Sequence, residues 1–447
     1  MARIERTVGR GRRLIASVTA TAMLTGGLVV TSAAVAMPAG ADAPSCKAAG
    51  KPTSAQLNST TGITKTSVSV GNISIITGPV PGLFQGAAYG AQAYFDYINS
   101  QGGVNGRKID YHSYDDAFSG TTNQSLATQA VSKDFALAGS FSLFDSFSCN
   151  VLASNPAMPD VSVTLDSATN SLANVFSPQP LGSGGSEAGY RYLKSKYPNA
   201  VKAVGNLYSN VDTAIAQWHG QEALMKHVGY KIAYQRAVSP VETNFAADVV
   251  NFKKNHVQFV FITDGTAQIY AALVKEMRKQ NFKPQVIMSA GPIYTPDFVT
   301  QAGGAANANG IWNIQGQSLY LGQDASSVPA VKTFNTWVQK AHKGFKPDLF
   351  TLYGWASAQL FAQALKAAGP SPTRGKVLTA LGKIQSFSAS NLIAPSNPAK
   401  KIPANCVVFT QVKNGKFART SPSGSKGFYC KSPYWDSTKG TLPKVNP

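Results

Sequence analysis

Ile76-Thr77-Gly78-Pro79, then the helix-spaced run Ala87 to Ile98, then Asn99-Ser100-Gln101-Gly102-Gly103-Val104-Asn105-Gly106-Arg107-Lys108-Ile109 decide how this chain folds. Val70 to Ile76 reads as a strand that breaks at Gly78-Pro79. Apolar residues recur at helical spacing from Ala87 to Ile98, and Gly102-Gly103 suits the end of that helix, because glycine tolerates the left-handed conformation of a C-terminal cap. Asn105-Gly106 is a strong tight-turn signal, and Lys108 to Tyr114 is the next strand, ending at Asp115-Asp116. A strand, a helix and a second strand in this order make one unit of a parallel sheet.

The rhythm continues outward. Helix Gln124–Val131 precedes strand Phe135–Ala138, and helix Cys149–Ser154 precedes strand Val161–Leu165. Helix Gly185–Lys196, strand Val201–Leu207, helix Thr213–Val228 and strand Lys231–Ala237 follow. Then come helix Phe245–Asn255, strand Phe259–Thr263, helix Gln268–Gln280 and strand Gln285–Ser289. So many strands exceed one comfortable sheet, and the chain divides near Ser177-Pro178-Gln179-Pro180, with a second change of character at Gly310–Leu321. Helices Val331–His342 and Leu352–Ala368 and a hairpin around Asn414-Gly415 complete it. In parallel sheets ligands sit beyond the carboxyl ends of the strands, so the loops starting near Thr77, Ser140, Asp166, Tyr208, Asp264 and Ala290 are the ones to watch.

The first residues indicate export. Arg3, Arg6, Arg10, Arg12 and Arg13 precede an uncharged stretch from Leu14 to Ala41 with small-x-small sites at Ala34-Val35-Ala36 and Ala39-Gly40-Ala41, the layout of a signal peptide over 1–36. An uncleaved N-terminal anchor is the competing reading. Residues 37–66 read as a leader. Four cysteines in an exported chain suggest disulfides: Cys406 with Cys430 across the hairpin, leaving Cys46 with Cys149. Free buried thiols, and lipidation at Cys46, are the alternatives.

The formal net charge is +20, and a chain starting at residue 37 keeps 36 − 20 = +16. The basic residues are scattered, without a nucleic-acid module, which points to an anionic envelope rather than to nucleic acid. His112, His219, His227, His256 and His342 lack metal-ligand spacing, and no Gly-x-Ser-x-Gly or His-Glu-x-x-His motif occurs. Gly182-Ser183-Gly184-Gly185 lacks the strand and the Lys-Ser/Thr of a phosphate loop. No cofactor or metal is expected, and the chain reads as a non-enzyme. A secreted glycosidase with two distant carboxylates stays open at this point.

Residues 67–430 resemble the branched-chain amino-acid-type, or type I, periplasmic solute-binding proteins. The resemblance rests on the strand-end Gly78-Pro79, the Gly102-Gly103-Val104-Asn105-Gly106-Arg107 turn and Asp115-Asp116, with weaker matches at Ser167-Ala168-Thr169, Val408–Val412 and Asn414–Phe417. It implies an α/β chain of two Rossmann-like lobes joined by a three-stranded hinge, closing on a small molecule handed to an ABC permease. The expected lobes are 67–177 with 317–388 and 178–316 with 389–430, leaving 431–447 as a tail. A monomer is expected, near the membrane only through the permease or an N-terminal anchor. A ligand-sensing receptor of the same fold is the alternative.

The resemblance also implies a site. In lobe one, Ser142, Ser167 and Thr169 stand nearest the groups that hold a ligand carboxylate, Ser140 in the same loop as Ser142 is a further binding candidate, and Phe84, Phe141 and Phe144 offer an apolar wall. In lobe two, Tyr208, Asp212, Asp264 and Tyr294 are the candidates. The family's ammonium-binding carboxylate falls at Gly291, so either Asp212 or Asp264 replaces it or the ligand has no ammonium group. Amino acids, amides and organic or aromatic acids all remain open. Capping and core packing are the competing roles for these residues. Asp115 and Asp116 read as structural.

Overall fold

The structure is a computed structural model and describes residues 45–423 and 427–445. The expected signal peptide and anchor at 1–36, and the start of the leader, lie outside the described residues. Among the described residues no helix is long and apolar enough to cross a membrane.

The first lobe is built on a five-stranded parallel sheet in the order β2-β1-β3-β4-β5: β1 Ser67–Ser74, β2 Lys108–Asp115, β3 Ala136–Ala138, β4 Asp160–Val161 and β5 Val175–Phe176. β1 and β2 run in register from Ser67↔Lys108 to Ser74↔Asp115. The turn that joins them is as expected. Asn105 and Gly106 both have positive φ (49° and 78°), and Val104 and Arg107 exchange backbone hydrogen bonds of 2.8 and 3.0 Å. Helix Gln85–Ser100 crosses helix Leu349–Ala367 at two glycines. A Cβ on Gly90 would lie 1.8 Å from the Thr351 carbonyl oxygen, and one on Gly354 would lie 1.9 Å from that of Ala87. Only bare backbone fits this crossing, which ties a late helix onto the early sheet.

The second lobe carries a seven-stranded sheet in the order β13-β12-β11-β10-β9-β7-β8. β7 Val204–Ser209, β8 Ile232–Val238, β9 Phe259–Thr263, β10 Val286–Ser289 and β11 Trp312–Gln315 are parallel, and the hairpin β12 Val408–Lys413 with β13 Lys416–Ser421 adds antiparallel to β11. Phe259, Val260 and Val286 are fully buried, as strands covered on both faces require.

Three passages of chain join the lobes side by side. Ala394 donates its N–H to the Gly316 carbonyl (2.7 Å), Ser318 donates to Leu392 (2.9 Å), and the Ser396 hydroxyl donates to Pro178 (2.7 Å). Both disulfides form as paired from the sequence, Cys46–Cys149 and Cys406–Cys430. The first occupies the thiol that lipidation of Cys46 would need.

The segment read as a tail is integrated instead. β14 Tyr434–Asp436 pairs with β6 Gly184–Ser186 on one side and β15 Gly440–Thr441 on the other, and Tyr434 and Asp436 are buried. Its short strands carry no periodic signal, so the sequence pattern did not mark it.

Candidate functional site

A cavity of about 300 Å³ lies between the lobes, lined by loops from the carboxyl ends of strands in both sheets and by the connecting passages. Leu83 and Phe84 reach it after β1, Phe141 and Leu143 after β3, and Val163 to Leu165 after β4. The second lobe contributes Ser209 after β7, Asp264 to Thr266 after β9, and Ala290 and Pro292 after β10. This placement at strand ends follows the general rule for open parallel sheets.

The wall on the first-lobe side is aromatic. Phe84 packs edge-on against Phe141 (4.5 Å between ring centres) and Phe350 (4.6 Å), and Phe141 lies 5.0 Å from Phe350. Phe350 and Tyr353 stand three residues apart on helix Leu349–Ala367 and so share its face toward the cavity. Among the described residues, no lysine, arginine or histidine lines the cavity, and Asp264 is its one carboxylate.

Asp264 sits in the loop after β9 in the left-handed region (φ 52°), which aspartate tolerates better than most side chains. Burial pushes its carboxyl up to about 7, since water is excluded from the charged form. Its Oδ2 is buried without a hydrogen-bond partner, as is Nε2 of Gln217, which also lines the cavity. Among the described residues, these are the two unpartnered buried side-chain atoms that line this cavity.

The expected hydroxyl set is engaged elsewhere. The Ser142 hydroxyl donates to Asp116 Oδ2 (2.5 Å) and accepts from Phe144 N–H (3.0 Å). Ser140 Oγ accepts from the Ile73 N–H (3.0 Å), and the Thr169 hydroxyl donates to Asp166 Oδ2 (2.7 Å). Ser167 is exposed on the short helix Ser167–Ser171. Ser140, Ser142 and Thr169 converge instead on a small adjoining cavity of about 20 Å³ beside Asn123, Asp145 and Asp160, which shares Phe141, Val163 and Thr164 with the main cleft and has room for a single water. Burial raises the carboxyls of Asp145 to about 7 and Asp160 to about 6.

Of the remaining candidates, Phe84, Phe141 and Asp264 line the main cavity and the others do not. Tyr208 stacks on Trp218 (6.0 Å, 13°), and Asp212 is exposed in the first turn of helix Asp212–His227. Tyr294 is fully buried in the core, where its hydroxyl donates to Gln323 and its ring packs on Tyr320 and Phe417. Phe144 turns away to Phe118 and Phe147. Gly291, at φ 124°, donates its N–H to Asn313 and carries no carboxylate. Asp115 and Asp116 act structurally. Partial burial opposes ionisation of Asp115, but hydrogen bonds from Thr77, Ile76 and Ala117 prevail and hold its carboxyl below the usual range. Lining residues that the sequence did not single out include Gln217, Gln221, Phe350, Tyr353 and Tyr434.

A family model described as periplasmic binding protein matches residues 67–416. The chain belongs to the periplasmic binding protein family. It is therefore a solute-binding protein, of a family that supplies the ligand-binding components of ABC transporters on the exported side of the membrane. Leu/Ile/Val-binding protein homolog 1 of Brucella abortus (strain 2308) is 26% identical over 292 residues, covering 63% of this chain and 73% of the relative. The fold is shared with a fatty acid ABC transporter substrate-binding protein from Thermomonospora curvata (TM-score 0.67, 15% identity, 89% of this chain and 98% of that one). It is shared too with a branched chain amino acid ABC transporter protein from Thermus thermophilus with bound valine (TM-score 0.68, 16% identity, 80% and 96%).

Proposed function

We propose that this chain captures a small, mainly apolar molecule with one uncharged polar end, and delivers it to the permease of an ABC importer. It acts by closure of the lobes rather than by catalysis, as an exported monomer released from its signal peptide. The observation that carries this reading is the cleft itself: aromatic and aliphatic walls from both lobes, no cation, and one carboxylate that burial drives toward its neutral form. A ligand touching both walls favours the closed arrangement because only there are both contacts made.

The names of the relatives offer two ligand classes. A free amino acid needs a fixed partner for each of its charges, because an unpaired buried charge is expensive. Here the Ser140, Ser142 and Thr169 hydroxyls are bonded within lobe one, Ser167 is exposed away from the cavity lining, and Gly291 stands where the ammonium partner is expected. An apolar chain with a neutral head, sharing the apolar body but not the charged end of a fatty acid such as the Thermomonospora curvata protein is named for, meets the walls and leaves only a few polar atoms to satisfy. The volume, near 300 Å³, equals about ten waters of bulk liquid, so a ligand of roughly ten heavy atoms fits.

A thermal-shift panel tests this. 1-Octanol, octanamide and octanoate are compared with L-leucine and L-isoleucine at equal concentration. A ligand at a hundred times its Kd stabilises by about 2.7 kcal/mol. The neutral eight-carbon probes are expected to raise Tm by several degrees, and the amino acids to leave it unchanged. Stabilisation by L-leucine with no response to 1-octanol or octanamide would reverse the assignment.

A further inference from the structure

The matched family domain ends at residue 416, yet Tyr434, beyond it, completes the wall of the cleft. Its placement is tightly held. Strand β14 pairs antiparallel with β6 through Tyr434↔Ser186, Trp435↔Gly185 and Asp436↔Gly184. Asp436 Oδ2 accepts from the Ser183 N–H (2.9 Å), and Trp435 stacks on His227 (4.6 Å, 12°). The Cys406–Cys430 bridge and the Asn405 side chain, which donates to the Cys430 and Ser432 carbonyls, anchor the start of the segment to the third passage between the lobes.

The ring faces Gly182. A Cβ there would lie 2.7 Å from the Tyr434 hydroxyl oxygen, so glycine is what lets the phenol stand where it does. The residue is 8% exposed and its side chain lines the cleft. A phenol is both donor and acceptor and finds a partner when buried.

We propose that Tyr434 is a specificity-determining residue of the cleft, donating a hydrogen bond to an oxygen acceptor on the polar end of the ligand. This rests on the cleft being the ligand site. The segment that supplies it is a fixed part of the cleft wall, beyond the matched residues 67–416, and it sets which polar ends are admitted: a hydroxyl or carbonyl oxygen is accepted, and a group with no good acceptor loses the bond. Preorganisation by the strand pairing and by Asp436 means that little ordering is needed when the ligand arrives.

The test uses calorimetric titration of the full exported chain with 1-octanol and with 1-octanethiol, whose sulfur is a weak acceptor. Tyr434→Phe keeps the ring and removes the hydroxyl. It is expected to weaken 1-octanol by about two- to tenfold, the range of one neutral hydrogen bond, and to leave 1-octanethiol unchanged. Gly182→Ala, which displaces the phenol, should reproduce that pattern. Phe350→Ala removes part of the apolar wall and should weaken both probes. If Phe350→Ala weakens both while Tyr434→Phe and Gly182→Ala change neither, Tyr434 is only structural and the cleft assignment survives. If Phe350→Ala also changes nothing, or if the unmodified protein binds neither probe, the cleft assignment fails and the role of Tyr434 with it.

Discussion

Replacing Asp264 by asparagine should stabilise the empty protein more at pH 8 than at pH 5. The carboxyl titrates at about 7 in the folded chain, raised from 3.8 by burial. Between those two values the folded state holds a proton that the unfolded state has released. Stability therefore falls as pH rises through this window and levels off above about 7. Each pH unit in the window is worth about 1.4 kcal/mol, so the span from pH 5 to 7 comes to roughly 3 kcal/mol. Asp264 keeps partial exposure toward the cleft, where water screens the charge, and about 2 kcal/mol is the better expectation. Asparagine tolerates the same left-handed backbone and does not titrate in this range. Asp145 and Asp160 also titrate near neutrality, but they do so in both proteins and cancel in the comparison. At about 2–4 °C per kcal/mol for a lobe of this size, the Tm difference between variant and parent should be about 4–8 °C larger at pH 8 than at pH 5. Ligand-free melts followed by circular dichroism in the two buffers give the answer. A difference that is the same at both pH values, or smaller at pH 8, would show that the carboxyl is well solvated and is not held toward its neutral form by burial.

Three other outcomes follow from the packing. Opening the Cys406–Cys430 bridge by a double alanine substitution frees a loop of 24 residues and should lower stability by about 3 kcal/mol in urea titrations, with the largest protection loss in β14 by hydrogen exchange. Gly354→Val drives a side chain into the Ala87 carbonyl, 1.9 Å from the nearest Cβ position, so the helix pair must separate; a loss of about 2–4 kcal/mol is expected, and a near-neutral urea midpoint would mean that the crossing is loose. Arg236→Ala strips the paired hydrogen bonds of 2.6 Å from Asp248, which is 1% exposed, and should cost about 1–3 kcal/mol, less than a fully buried pair because the arginine is itself 38% exposed. Asp248→Asn in the same background should restore part of that loss, since it removes the stranded charge; no recovery would mean that the pair contributes little.

The fold was legible because it rests on local signals. The Gly102-Gly103 cap and the Asn105-Gly106 turn impose backbone angles that few other residues adopt, and each was found where expected. The pairing of Cys406 with Cys430 followed from closeness in sequence. The segment after Cys430 was not legible because its strands span two or three residues, too short for a period, and its burial comes from pairing with β6, some 250 positions earlier in the chain.

The site was only partly legible, for a related reason. A hydroxyl at a strand end looks the same in sequence whether it holds a ligand or a neighbour, and the partner decides. Ser142 is claimed by Asp116 and Thr169 by Asp166. Asp264 has no such claimant, because Oδ2 faces no donor among the described residues. Along the cleft itself the unpartnered buried atoms lie on the second-lobe side, at Asp264 and Gln217, while lobe one presents rings toward it. On the proposed reading, a ligand entering this cleft has its apolar body matched against Phe84, Phe141 and Phe350 and its polar end turned away from them, the reverse of what the hydroxyl-rich loops of lobe one suggest when read as sequence.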